Sequence, residues 1–196
     1  MDESESRRAI KRVAGDLLVR HGYRGMGYAE IAAQLGITRA NIHYHFGTKA
    51  ALIDEVLADY VAATLVSLQE IWSDDGKTLP RKLEQMLLFS RGRYERFNAK
   101  GEPVRPWSLI SRMRQDQELL SDAGRTRLAQ FSADLRRVFH DALSRAAAGG
   151  EMRGDVAAAT TLLVAIADSA APITIAEGGF PGLEAAYDAF AKLAIA

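Results

Sequence analysis

Between residues 38 and 49 the chain sets Thr38, Arg39, Asn41, His43, Tyr44, His45 and Lys49 close together, with no Asp or Glu among them. All of these side chains donate hydrogen bonds. On a helix of 3.6 residues per turn, Ile42 and Phe46 share one side and Ala40 and Tyr44 point the opposite way. Arg39 and His43 flank them on one edge, Asn41 and His45 on the other. Such a face suits a polyanion whose edges carry readable acceptors. Arg39 has the fork that pairs with guanine O6 and N7, and Asn41 the amide that pairs with adenine N6 and N7. Thr38, His43, Tyr44 and His45 can reach phosphate oxygens. Small Ala40 lets the backbone approach a groove. Lys49 opens the following helix, where free N–H groups and the dipole also favour an anion.

Other chemistry fits these residues less well. His43 and His45 are two positions apart, which points them about 200° from each other on a helix, so one metal ion cannot easily bridge them, and no metal site is expected. The chain has no cysteine, which excludes disulfides, thiolate metal centres and cysteine nucleophiles. It also lacks a phosphate-binding glycine loop, a GxSxG nucleophile and a zinc motif. No catalytic residue and no cofactor are expected, and the chain reads as a binding protein rather than an enzyme. Formal net charge is zero, yet residues 1–50 hold eight Lys or Arg against five Asp or Glu, and three of the four histidines. A basic start on an acidic remainder suits a polyanion at one end only.

The elements that must position this face are helical. Ile10, Val13, Ala14, Leu17 and Leu18 recur at the spacing of one buried helix face, and His21-Gly22 ends that helix. A short helix over 28–35 buries Ile31, Ala32 and Leu35. Gly36-Ile37-Thr38 turns the chain into a second short helix over 39–46, with Thr38 as its N-cap and Ile37 as an apolar plug. Thr48 caps a long helix to about Trp72. Further helices are expected over 80–97, 107–114, 117–148, 156–177 and 183–195. That is about nine helices and no strand, an all-α fold, with residues 1–6 as a disordered lead-in. The alanine-rich run from Val156 to Ala176 is interrupted by Asp168 and Pro172 and reads as a buried or interface helix, so no membrane span is expected. The acidic N-terminus does not read as a secretory leader, and the cytoplasm is the expected compartment.

The run GYRGMGYAEIAAQLGITRANIHYHFGTKAAL resembles the DNA-binding segment of the TetR/AcrR family of transcriptional regulators. The matching pieces are Gly22-Tyr23, Ile31-Ala32, Gly36-Ile37-Thr38, the ending His43-Tyr44-His45-Phe46, and Lys49 followed by Leu52. The resemblance covers about a quarter of the chain. Two departures stand out. Met26-Gly27 stands where the family usually has Thr followed by Ser or Thr, which removes a side-chain cap from the second helix, and His43 stands where tyrosine is common. The resemblance implies a helix-turn-helix DNA-binding domain over 4–64 and a ligand-binding and dimerisation domain over 65–196. It further implies a homodimer on a double-stranded, palindromic DNA operator and repression relieved by a small-molecule effector.

Residues of the second domain carry weaker signals. Met86, Phe89, Tyr94, Trp107, Met113 and Phe131 are flexible or aromatic, and the resemblance implies that some of them line an effector pocket. Packing in a core is the competing reading for each. Asp168, alone in an alanine-rich helix, is the polar candidate for that pocket. Ala159, Leu163 and Ile166, with Leu183, Ala186 and Phe190, form small or apolar stripes on the last helices. By the same resemblance these stripes would build the interface between two copies, with burial inside one subunit as the alternative.

Overall fold

The computed structural model describes residues 3–196. Ten α-helices and one short 3₁₀ turn make up the described chain, and no strand occurs among the described residues beyond an isolated antiparallel bridge between Met152 and Ile195. The all-α expectation holds. The expected disordered lead-in is corrected: α1 spans Glu3–Gly25, so residues 3–6 are helical and Ser6 is buried, while residues 1 and 2 lie outside the described residues. Glu3 and Glu5 in the first turn complement the helix dipole.

Packing divides the chain into two units. The first takes in residues up to Ala62 together with Leu109–Ala129, and the second Ala63–Ser108 with Gln130–Ala196. The expected division at 64/65 therefore differs from the packing, because a segment from the middle of the chain belongs with the N-terminal helices. The first unit contains α1, α2 (Tyr28–Leu35), α3 (Arg39–Phe46), the first part of α4 (Lys49–Trp72), α6 (Leu109–Gln115), the 3₁₀ turn Gln117–Leu119 and the start of α7 (Asp122–Ala148). Ile10, Ala14 and Leu18 of α1 meet Ile31, Ile42, Leu52 and Leu57 in its core, all with essentially no exposed surface.

Gly22 explains why α6 belongs there. The residue sits at φ 70° and ψ −173° inside α1, a conformation that costs side-chain-bearing residues. A Cβ at this position would lie 2.5 Å from Asp116 Oδ2 and 2.7 Å from Arg112 Nε. The kink frees the Tyr23 N–H, which donates to Asp116 Oδ2 at 2.8 Å. The helix end read from His21-Gly22 is thus a kink that receives a carboxylate.

The second unit holds the end of α4, α5 (Leu79–Phe97), most of α7, α8 (Val156–Asp168), α9 (Ala170–Ala176) and α10 (Pro181–Ala194). Its core is built on Trp72 and Phe139, whose ring centroids are 4.8 Å apart, with Leu83, Leu135, Leu143, Leu163, Leu183 and Phe190 buried among them. The single helix expected over 156–177 is two helices, bent by 61°. Pro172 supplies the reason. It has no N–H to give the carbonyl of Asp168 four residues back, and its ring crowds that carbonyl, so α8 ends there and Ser169 starts α9. Among the described residues no single helix is long and apolar enough to cross a membrane. The helix expected over 117–148 is also divided. Leu120 is extended, and Ser121 Oγ then accepts from the Gly124 N–H at 3.0 Å to open α7.

Candidate nucleic-acid interface

The face read from residues 38–49 is built by α2, α3 and the start of α4. Gly36 ends α2 in the left-handed conformation, φ 66°, which a residue without Cβ adopts freely. The Ile37 N–H then returns to the Ala32 carbonyl at 3.1 Å. Thr38 is the N-cap of α3, its Oγ1 accepting from the Asn41 N–H at 3.1 Å. Thr48 caps α4 in the same way through the Ala51 N–H at 3.1 Å. Gly27 occupies the N-cap position of α2 with extended backbone and no side-chain cap, while its neighbour Met26 is wholly buried. The departure at Met26-Gly27 therefore exchanges a polar cap for an apolar anchor.

The two sides of α3 separate as the helical wheel requires. Ile42 and Phe46 are buried, whereas Tyr44 is 76% exposed. Thr38, Arg39, Ala40 and His43 are exposed, and Asn41, His45 and Lys49 are half-buried. Each donor has a distinct setting. His43 Nδ1–H donates to the Gly47 carbonyl at 2.8 Å, which leaves Nε2 directed away from that bond, and the Tyr28 ring meets the imidazole edge-on with centroids 4.8 Å apart. His45 has a buried Nδ1 without a hydrogen-bond partner and lies edge-on to Tyr44 and Phe46, so it presents less of itself to a ligand than His43 does. The Lys49 ammonium lies 5.0 Å from the Tyr23 ring centroid, and burial holds its pKa below the ordinary lysine value. The Tyr28 hydroxyl is buried without a partner, and burial raises its pKa.

Sequence reasoning missed the clamp behind α3. Arg7 donates to the carbonyl of His45, spans both carboxylate oxygens of Glu55 at 2.6 Å, and lays its guanidinium 4.4 Å from the Phe46 ring centroid. One side chain of α1 thus caps the C-terminal end of α3 and ties it to α4, with Lys11 adding an ion pair to Asp59 at 2.5 Å. The partners are 38 and 48 residues apart, a separation at which no sequence spacing signals contact.

The second-unit candidates are only partly brought together. Tyr94 lies 6.4 Å from Trp107 and 5.3 Å from Phe180 between ring centroids. The Trp107 indole N–H is already taken by Thr174 Oγ1 at 2.8 Å, so Phe180 and Thr174 join a cluster that the sequence did not name. Met86, Trp107 and Phe131 are buried, and Phe89, Tyr94 and Asp168 are half-buried, Asp168 as the last residue of α8. Met113 lies on α6, wholly buried in the first unit. The interface set needs a correction. Leu163, Leu183 and Phe190 are buried in the core of their own unit and Ile166 nearly so, because α8 and α10 pack against each other. Ala159 and Ala186 are half-buried. The large apolar side chains those helices turn outward are instead Leu162, 40% exposed, and Leu193, 68% exposed.

Comparison with known proteins agrees with this geometry. Residues 10–56 match the family model of the bacterial regulatory proteins, tetR family. No curated protein sequence matches the chain. Solved structures share the fold along nearly its full length. The regulatory protein TetR from Rhodobacter sphaeroides superposes with a TM-score of 0.82 at 18% identity, covering 95% of this chain and 97% of that one. A TetR-family regulator from Agrobacterium tumefaciens gives 0.81 at 20% identity over 98% and 99%. A transcriptional regulator from Saccharomonospora viridis, solved in complex with choline, gives 0.78 at 19% identity over 98% and 99%. Residues 10–56 thus carry the sequence signature of the bacterial regulatory proteins, tetR family, and the described chain shares the fold of solved TetR-family regulators along nearly its full length.

Proposed function

We propose that the protein is a homodimeric repressor that holds a palindromic operator through α3 and releases it when a small-molecule effector binds the second unit. The observation that carries this reading is the exposed, carboxylate-free face of α3, with Arg39 and Ala40 at its start and Tyr44 standing out from it. In this role Arg39 and Asn41 read base edges, while Thr38, His43, Tyr44, His45 and Lys49 hold phosphates. Two copies place their α3 helices on half-sites one helical turn apart, about 34–36 Å, or a multiple of it. The outward Leu162 and Leu193 favour pairing of copies through the outer faces of α8 and α10. The cluster of Tyr94, Trp107 and Phe180, with Met86, Phe89, Phe131 and Asp168 as further candidates, supports an effector site of mostly apolar character. The neighbour solved in complex with choline supports a small-molecule site in a protein of this fold. An enzyme is not proposed, and a cytoplasmic, DNA-associated location follows from the role.

The test is fluorescence anisotropy of the purified chain on labelled DNA from upstream of its own gene, at two salt concentrations and against scrambled competitor. Competitor-resistant binding at two chains per site is the expected result. Binding that scrambled DNA removes completely, on this DNA and on sequences recovered by random-site selection, would sink the reading.

A further inference from the structure

We propose that the second unit carries a site for a small organic monocarboxylate, in a cavity where Lys82 faces the end of α4. The cavity has a volume of about 230 Å³ and is lined by Asp75, Lys77, Leu79, Lys82, Arg145 and Glu151, with Ala142 and Ala146 completing its wall. Three cations and two carboxylates border it, and two of the cations are held in ion pairs. Lys77 pairs with Asp74 at 3.0 Å and Arg145 with Asp75 at 2.9 Å. The Glu151 carboxylate accepts from the Leu79 N–H at 2.7 Å. Lys82 is the exception. It is 5% exposed, it makes one hydrogen bond, to the Trp72 carbonyl at 3.1 Å, and no carboxylate of the described residues forms an ion pair with it. An ammonium has three donors, so two remain uncommitted on a charge held almost out of water, where an unpaired ion is costly. Burial, followed by the positive charge of Arg145, holds the Lys82 pKa below the ordinary lysine value, outweighing the opposing pull of Asp75, Glu151 and Asp74, none of which reaches ion-pair distance.

The surroundings select the counter-ion. Asp75 and Glu151 stand on the same wall, so a multiply charged anion meets repulsion that a single carboxylate largely escapes. Leu79, Ala142 and Ala146 offer apolar surface for a short hydrocarbon chain. At roughly 30 Å³ per water, the space equals about eight waters, enough for a short-chain acid. Occupancy also reaches α4. Lys82 and Arg145 both donate to the carbonyl of Trp72, the last residue of α4, the latter at 3.2 Å. A bound carboxylate competes for those donors. The binding site itself is independent of the effector reading above, whereas an effect of occupancy on operator affinity rests on it.

The experiment uses the full chain and sodium butyrate as the probe, with sodium chloride keeping ionic strength constant. Wild-type protein is expected to melt at higher temperature as butyrate rises, saturably, and to transfer NMR saturation to the butyrate methyl. Lys82→Met keeps the side chain's bulk and removes its charge, and should weaken butyrate binding about tenfold or more. Arg145→Gln should weaken it less. No saturable shift together with no transferred saturation on the wild type overturns the site, and this pair of measurements stands even if the Lys82 variant fails to fold. A folded Lys82→Met that binds butyrate as wild type does also overturns it, and inorganic phosphate binding as tightly as butyrate overturns the monocarboxylate assignment. Operator anisotropy is then read with and without butyrate. Butyrate binding without loss of operator affinity leaves the site standing and removes it as an effector site, while failure of operator binding under all conditions breaks the repressor reading alone.

Discussion

Helix α3 and the pair α8 and α10 present opposite problems to a reader of sequence. In α3, polar and apolar residues alternate around the helix, and that contrast names the buried side: Ile42 and Phe46 go in, Tyr44 comes out. In α8 nearly every position is small or apolar, so the pattern says that much of the surface is covered without saying by what, while α10 carries a charged stripe at Glu184, Asp188 and Lys192. The family resemblance assigns Leu163, Leu183 and Phe190 to a second copy, with their own core as the alternative, and they lie in the core. An amphipathic pattern carries its own orientation, whereas a uniformly apolar one leaves orientation to the neighbours. The two regions also differ in what holds them. Helix α3 is kept in place by polar work, the Arg7 clamp and the Thr38 and Thr48 caps. The terminal helices are held mainly by packing, with Arg91 reaching across from α5 to Glu184 and the Phe180 ring.

The sharpest way to break this comparison is to truncate one inward and one outward leucine of α10. Leu183→Ala should cost about 2–5 kcal/mol of stability through the cavity it leaves, measured by chemical denaturation. Leu193→Ser should change stability by less than about 0.5 kcal/mol and instead weaken self-association, measured by sedimentation at several concentrations. The reverse assignment of effects would mean that the core and interface faces have been exchanged.

Next in size is Gly22→Ala. The positive φ and the close approach of Asp116 should together destabilise the chain by about 1–3 kcal/mol. Asp116→Asn, which keeps an acceptor for the Tyr23 N–H, should be milder. Thermal melts of both variants decide whether α6 is anchored at the kink, since equal stability of Gly22→Ala and wild type would remove that anchor.

Two predictions test α3 as the reading element. Arg39→Ala should lower operator affinity by about 1–3 kcal/mol per half-site and relax preference at one base position, read by anisotropy on a panel of single-substitution operators. Lys49→Ala should weaken specific and scrambled DNA alike and reduce the slope of log affinity against log salt by about one per half-site. Base preference altered by Lys49→Ala, or a uniform loss from Arg39→Ala, would exchange the two roles.

Much of the first unit was legible because its signals are local. The Gly36 turn, the Thr38 cap and the i, i+4 pairing of Ile42 with Phe46 each span six residues or fewer, the range over which backbone geometry follows from residue type. The division near Ser169 was legible in principle, since Pro172 cannot serve the carbonyl four residues back. The apolar run on both sides hid it.

By itself the sequence determined the all-α class, the position of the helix-turn-helix, the caps that start α3 and α4, and which side of α3 is free to meet DNA. Each of these rests on hydrogen bonds and side-chain periodicity within one or two turns. Only the tertiary structure decided that α6 belongs with the N-terminal helices, that Arg7 closes the end of α3, that Met113 is buried in the first unit, and that Lys82 lines a cavity with a single hydrogen bond. Those outcomes depend on residues tens of positions apart meeting in space, and chain spacing carries no record of such meetings.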